Sequence, residues 1–91
     1  MPKFVIERPL PGVGTLGDDD MRGISQKSNS VLTDMGGDVQ WLHSYVTDDK
    51  IFCVYIAPDA ARVQEHADRG GFPAEAIRPV SRVIDPTTGG L

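Results

Sequence analysis

The stretch that decides the fold is "QWLHSYVTDDKIFCVYIAP", residues 40–58, which holds the only Trp, the only Cys, one of the two His and both Tyr of the 91-residue chain. "VQWLHSYV" and "KIFCVYIA" are rich in the aromatic and β-branched residues that pack well on a pleated surface. The polar "TDD" between them reads as a tight turn, so the stretch is a β-hairpin closed by Pro58. Side chains alternate along a strand, so Trp41, His43 and Tyr45 are expected to point one way, and Leu42, Ser44 and Val46 the other. On the return strand Cys53 and Tyr55 share a face, opposite Phe52, Val54 and Ile56. A two-residue loop at Asp48-Asp49 sets His43 with Phe52 and Val54, whereas a three-residue loop sets it with Cys53.

Outward from the hairpin, "DAARVQEHADR" reads as a helix begun near Pro58 and stopped by Gly70-Gly71, with Val63, His66, Ala67 and Gly70 on one face. Upstream, "DDDMRGISQKSNSVLTDMGG" carries Met21, Ile24, Ser28, Val31, Leu32 and Met35 at spacings of three and four, the mark of an amphipathic helix. Asp18 or Thr15 is the expected cap, with Asp19 and Asp20 set against the helix dipole. "KFVIER" gives a first strand over residues 3–8, ended by Pro9 and Pro11. "IRPVSRVI" gives a last strand, and Pro79 inside it places that strand at a sheet edge. "DPTTGGL" is expected to fray.

The element order is βαββαβ. Two such split units make an α+β, ferredoxin-like fold: a four-stranded antiparallel sheet with two helices on one face. We expect a single domain over residues 1–86 and a C-terminal tail over 87–91. The second sheet face is left bare, and a bare apolar face in so small a domain predicts a homodimer through it.

Composition narrows the function classes. The net charge is −4 and the nine Lys and Arg residues are scattered, so a nucleic-acid grip and an anionic membrane surface are both disfavoured. "MPKFVIERPLPG" lacks the basic and apolar regions of a signal peptide, and no apolar run approaches bilayer length, so the expected location is cytoplasmic. There is no nucleophile motif, phosphate-cradling glycine loop or zinc-enzyme helix.

Imidazole, thiolate and carboxylate are the donors that borderline transition metals prefer, which makes His43, His66, Cys53 and Glu7 the candidate metal ligands. Their spacing contains no CxxC, HxH or HExxH, so they form a site only if the fold gathers them. Each has a plainer reading. Cys53 serves as a small buried hydrophobe, His66 as a hydrogen-bonded core residue, His43 as a polar strand residue and Glu7 as half of an interface ion pair. Glu7 and Arg8 point to opposite faces, so one of them is enclosed.

Four separated blocks, "ERPLPG", "QWLHSYVTDDKIFCVYIAPD", "EHADRGGFPA" and "VIDPTT", resemble a family of small bacterial proteins known as a domain of unknown function. One streptomycete member, to which this chain looks very close, is described as nickel-binding. The resemblance implies a ferredoxin-like fold, a homodimer and Ni²⁺ as the bound ion, other divalent transition metals being acceptable to the same donors. Sequestration, storage or delivery of nickel is the leading function. The alternatives are a dimeric enzyme acting on a small aromatic or heme-type substrate, for which Asn29, Trp41 and His66 supply the residue types, and a non-catalytic interaction module.

Overall fold

The computed structural model describes residues 1–90. The strands are β1 (Lys3–Pro9), β2 (Gln40–Val46), β3 (Lys50–Ile56) and β4 (Ala76–Pro79), and the helices are α1 (Asp18–Asp34) and α2 (Ala60–Gly70). Single 3₁₀ turns occupy Val13–Thr15 and Pro86–Gly89. The sheet order is β2-β3-β1-β4, antiparallel at every pairing. This is the ferredoxin-like α+β architecture expected from the element order.

Burial alternates along the two central strands, and the alternation defines the two faces. Phe4, Ile6 and Arg8 of β1 and Ile51, Cys53 and Tyr55 of β3 are buried beneath the helices. Val63, His66 and Ala67 of α2 and Ser28 of α1 close the core from above, with Met35 just past the end of α1. Lys3, Val5 and Glu7, with Phe52, Val54 and Ile56, form the opposite, open face and are only partly covered.

The helices start and stop by local chemistry. Gly17, rather than Asp18 or Thr15, is the N-cap of α1. Its N–H donates to Asp20 Oδ2 at 3.2 Å. Thr15 instead turns its hydroxyl back to the Gly12 carbonyl at 2.7 Å. Asp59 caps α2 by accepting from the Arg62 N–H at 2.9 Å, so Pro58 sits just outside the helix instead of in its first turn. Arg62 also ties α2 to the loop after α1, donating to both Asp38 oxygens and to the Met35 carbonyl.

Three further sequence expectations change. β4 ends at Pro79 and does not run on to Ile84. β1 starts at Lys3, whose carbonyl takes the Val80 N–H at 2.8 Å, so residues 81–84 have no partner backbone on that strand. Val83 and Ile84 are consequently exposed. Next, residues 86–89 do not fray into an irregular tail. Asp85 accepts from the Thr87 and Thr88 N–H groups and fixes a turn.

The third change concerns β2. The hairpin has the two-residue Asp48-Asp49 loop, with the Thr47 N–H on the Lys50 carbonyl at 2.9 Å, and His43 pairs with Val54. A β-bulge at Leu42 lies between Trp41, paired with Tyr55, and His43. The extra residue reverses the alternation. Trp41, Ser44 and Val46 therefore share the helix-covered face with Cys53, while His43 and Tyr45 join the open face. The indole N–H of Trp41 seals this arrangement by donating to Ser44 Oγ at 2.9 Å.

Candidate functional site

The sheet separates the four candidate ligands into two pairs. Glu7 and His43 stand on the open face, and Cys53 and His66 lie beneath the helices. Among the described residues no group of three His, Cys, Asp or Glu side chains converges. A β-sheet stands between the two pairs, so the described residues of one chain do not gather all four around a single ion.

On the open face, His43 is exposed and meets Tyr45 edge-on, with ring centroids 5.0 Å apart. Glu7 takes Lys50 Nζ at 2.5 Å, and this hydrogen-bonded cation holds its carboxyl below the usual carboxylate range. The ion pair expected of Glu7 is thus made inside the chain. His43 and Glu7 occupy strands flanking β3, so their backbones lie about 10 Å apart and their side chains do not share one ion in a single subunit. A groove of about 410 Å³ runs beside His43, lined by Val5, Tyr45, Val54, Arg82, Val83 and Ile84 among others.

The covered face has a different chemistry. His66 is wholly enclosed. Its Nε2 lies 3.2 Å from Ser28 Oγ, and its Nδ1 has no hydrogen-bond partner. The ring sits between Tyr55 and Phe72, at centroid distances of 5.2 and 5.6 Å. Burial, reinforced by the positive charge of Arg8, pushes the imidazole below its ordinary pKa of 6.5 and keeps it neutral.

Arg8 is the enclosed member of the Glu7-Arg8 pair, only 4% exposed. Its Nη1 donates to the Pro73 carbonyl at 2.8 Å and its Nη2 to the Tyr55 hydroxyl at 3.3 Å. The guanidinium lies over the rings of Phe72 and Tyr55, 5.4 and 5.9 Å from their centroids. None of the five ion pairs among the described residues includes it. Tyr55 is pushed up to about 12, chiefly by burial and then by the neighbouring Cys53, so it stays a protonated phenol.

Beside this cluster is a mainly apolar cavity of about 130 Å³ between α1 and the sheet. Met21, Ile24, Trp41 and Ile51 form much of its wall, and Arg8, Ser28, Cys53 and Tyr55 reach its border. Leu10, Met21 and Val46 are partly or fully exposed, so the cavity opens to solvent. It has the volume of a single six-membered ring rather than a tetrapyrrole. Asn29 is exposed on α1 and takes no part in its lining, so the Asn29-Trp41-His66 trio is not assembled around it.

Sequence reading picked out His66 and Cys53 but not the functional potential of Arg8 and Tyr55. The signal was present in β1, where alternation from Phe4 and Ile6 carries Arg8 inward.

Comparison with known proteins adds a lineage. The model of a family described as nickel responsive protein SCO4226-like matches residues 4–80. The chain belongs to the SCO4226-like family. Three of the four blocks that carried the resemblance fall within that span, and "VIDPTT" lies beyond it. The crystal structure of SCO4226 from Streptomyces coelicolor A3(2) is similar, with a TM-score of 0.75, over 90% of this chain and 99% of that one. The identity is 21%, so this likeness shows the fold, and membership of the family rests on the family model. No curated protein matches. Among the described residues, no helix is long and apolar enough to cross a membrane.

Proposed function

We propose that this chain binds nickel as a cytoplasmic sequestration or delivery protein, and that the ion is held on the open sheet face by His43. The observation that carries the reading is the register of the two-residue hairpin, which pairs His43 with Val54 and so sets its imidazole on the uncovered face beside a groove. The family description supplies the metal, and an accessible imidazole is a donor that Ni²⁺ accepts.

One imidazole makes a weak site. Two copies of the chain stacked open face to open face bring two His43 side chains, and with them a Glu7 from each copy, within reach of shared ions. Val5, Val54, Val83 and Ile84 supply apolar surface for such a homodimer. His66 and Cys53, on the far side of the sheet, are structural in this reading.

The test is a calorimetric titration of untagged protein with Ni²⁺ at pH about 7.5, where free imidazole is neutral. His43→Ala should weaken binding about tenfold or more, whereas Cys53→Ala and His66→Gln should leave it near the wild-type value. Sedimentation velocity should return twice the 9.9 kDa chain mass. Wild-type protein that takes up no nickel overturns the proposal. Loss of binding in His66→Gln or Cys53→Ala with retention in His43→Ala overturns the ligand assignment.

A further inference from the structure

We infer that the cavity between α1 and the sheet is a binding site for a small aromatic monocarboxylate of about the size of benzoate, its ring among Trp41, Ile24 and Ile51 and its carboxylate against Arg8 and Tyr55. The inference concerns the covered side of the sheet and is independent of the nickel proposal.

The first support is an imbalance of charge. A guanidinium keeps its charge inside proteins, and a buried charge is ordinarily paired. Arg8 is buried and has no carboxylate partner among the described residues. Its recorded bonds go to one carbonyl and one phenol oxygen, which leaves guanidinium N–H groups without an acceptor. The aromatic faces of Phe72 and Tyr55 offset part of the desolvation cost but bring no negative charge. An anion arriving with a ligand would complete the pairing.

The second support is space and its chemistry. The cavity holds about 130 Å³, close to the volume at which dry protein cavities accept a benzene-sized guest. Its walls are mainly apolar, and its polar groups are Arg8, Tyr55, the α1 serines Ser25 and Ser28, and Ser44, whose hydroxyl already accepts from Trp41. That distribution fits a ligand with one charged end and one aromatic or compact aliphatic body. Tyr55 accepts from Arg8, and its own proton faces only the sulfur of Cys53, a weak acceptor that a carboxylate would outcompete. A neutral phenol beside a guanidinium offers a carboxylate two kinds of donor at once. His66, kept neutral and held by Ser28, borders this cluster without adding a competing charge.

Trp41 lines the cavity and is the only tryptophan, so its fluorescence reports occupancy directly. Untagged, metal-free protein would be titrated with benzoate and, in parallel, with benzyl alcohol, which has the same ring but no charge. Saturable change with benzoate, and binding of benzyl alcohol weaker by about tenfold or more, is the expected result. Arg8→Met should erase that difference. Ile24→Trp, a change at a partly exposed wall position that adds a second tryptophan and is therefore followed by calorimetry, should block both ligands while the far-UV circular dichroism stays native. Should Arg8→Met fail to fold, Tyr55→Phe carries the same discrimination test, with benzoate losing more affinity than benzyl alcohol. The inference falls if benzoate gives no saturable signal, if benzyl alcohol binds as tightly as benzoate, or if Ile24→Trp binds like the wild type.

Discussion

Mild acid should destabilise this protein through His66 well before its carboxylates matter, and replacing that residue by glutamine should remove the effect. His66 is fully enclosed, has one unpartnered ring nitrogen and lies near a cationic Arg8. The groups that face it are Arg8 from β1, Tyr55 from β3, Ser28 from α1 and Phe72 from the turn after α2. Desolvation first, and Arg8 second, lower its pKa below 6.5, while the Ser28 contact opposes them. As pH falls, the unfolded chain therefore takes up a proton before the folded one does. The associated stability is complete above about pH 6.5, declines as pH drops through that value, and levels off once the folded imidazole is also protonated. One proton sets a ceiling of about 1.4 kcal/mol per pH unit on the slope, a sizeable fraction of the 5–15 kcal/mol typical of a domain.

The carboxylates act in a separate, more acidic window. Lys50 lowers Glu7, Arg62 lowers Asp38 and Glu65, and Thr87 lowers Asp85, so their stabilisation is present above the ordinary carboxylate range and is lost only below it. Urea unfolding of metal-free protein between about pH 7.5 and 5, followed by Trp41 fluorescence, isolates the histidine step. His66→Gln keeps an amide to bond Ser28 but does not titrate, so its stability should be flat across that interval even if its level is lower. A flat wild-type profile, or an unchanged slope in His66→Gln, would refute the reasoning.

Other substitutions test the packing. Ser28→Ala removes the only hydrogen-bond partner of the His66 ring and should cost about 1–3 kcal/mol in urea unfolding at pH about 7.5. Ile6→Ala, at a fully buried position in the middle of β1, should cost about 2–5 kcal/mol, and Ile6→Val about 0.5–1.5. Gly14→Ala should lower the melting temperature, because a Cβ there would stand 2.8 Å from the Asp48 Cα and the Thr47 carbonyl oxygen and would force the 3₁₀ turn off the hairpin.

The architecture was legible because it rests on periodicity. The stripe from Met21 to Met35 and the Val63, His66, Ala67 and Gly70 face of α2 each carry a repeat that survives folding unchanged. Pro79 correctly marked β4 as an edge. Strand length was less legible, since β4 stops where β1 begins, and composition does not encode the end of a neighbour. The metal candidates were chosen by donor chemistry, which says nothing about faces. A single unpaired residue at Leu42 moved Trp41 to the face opposite His43, whose own side follows from the two-residue loop, and no pattern in residues 40–46 marks the insertion. Arg8 was legible as one half of an inside-outside pair, but its significance depends on the cavity beside it, which only packing creates.

The bulge at Leu42 makes β2 a two-sided edge whose sidedness is set by residue count. An indole and an imidazole two positions apart serve opposite surfaces, so each surface can be altered by substitution without disturbing the other. Removing Leu42 would restore simple alternation and set Trp41 and His43 next to each other, so each ring would keep its present side. Among relatives, a one-residue gap at this point is therefore compatible with both surfaces, whereas a regular strand of unchanged length would bring the indole and the imidazole to one face.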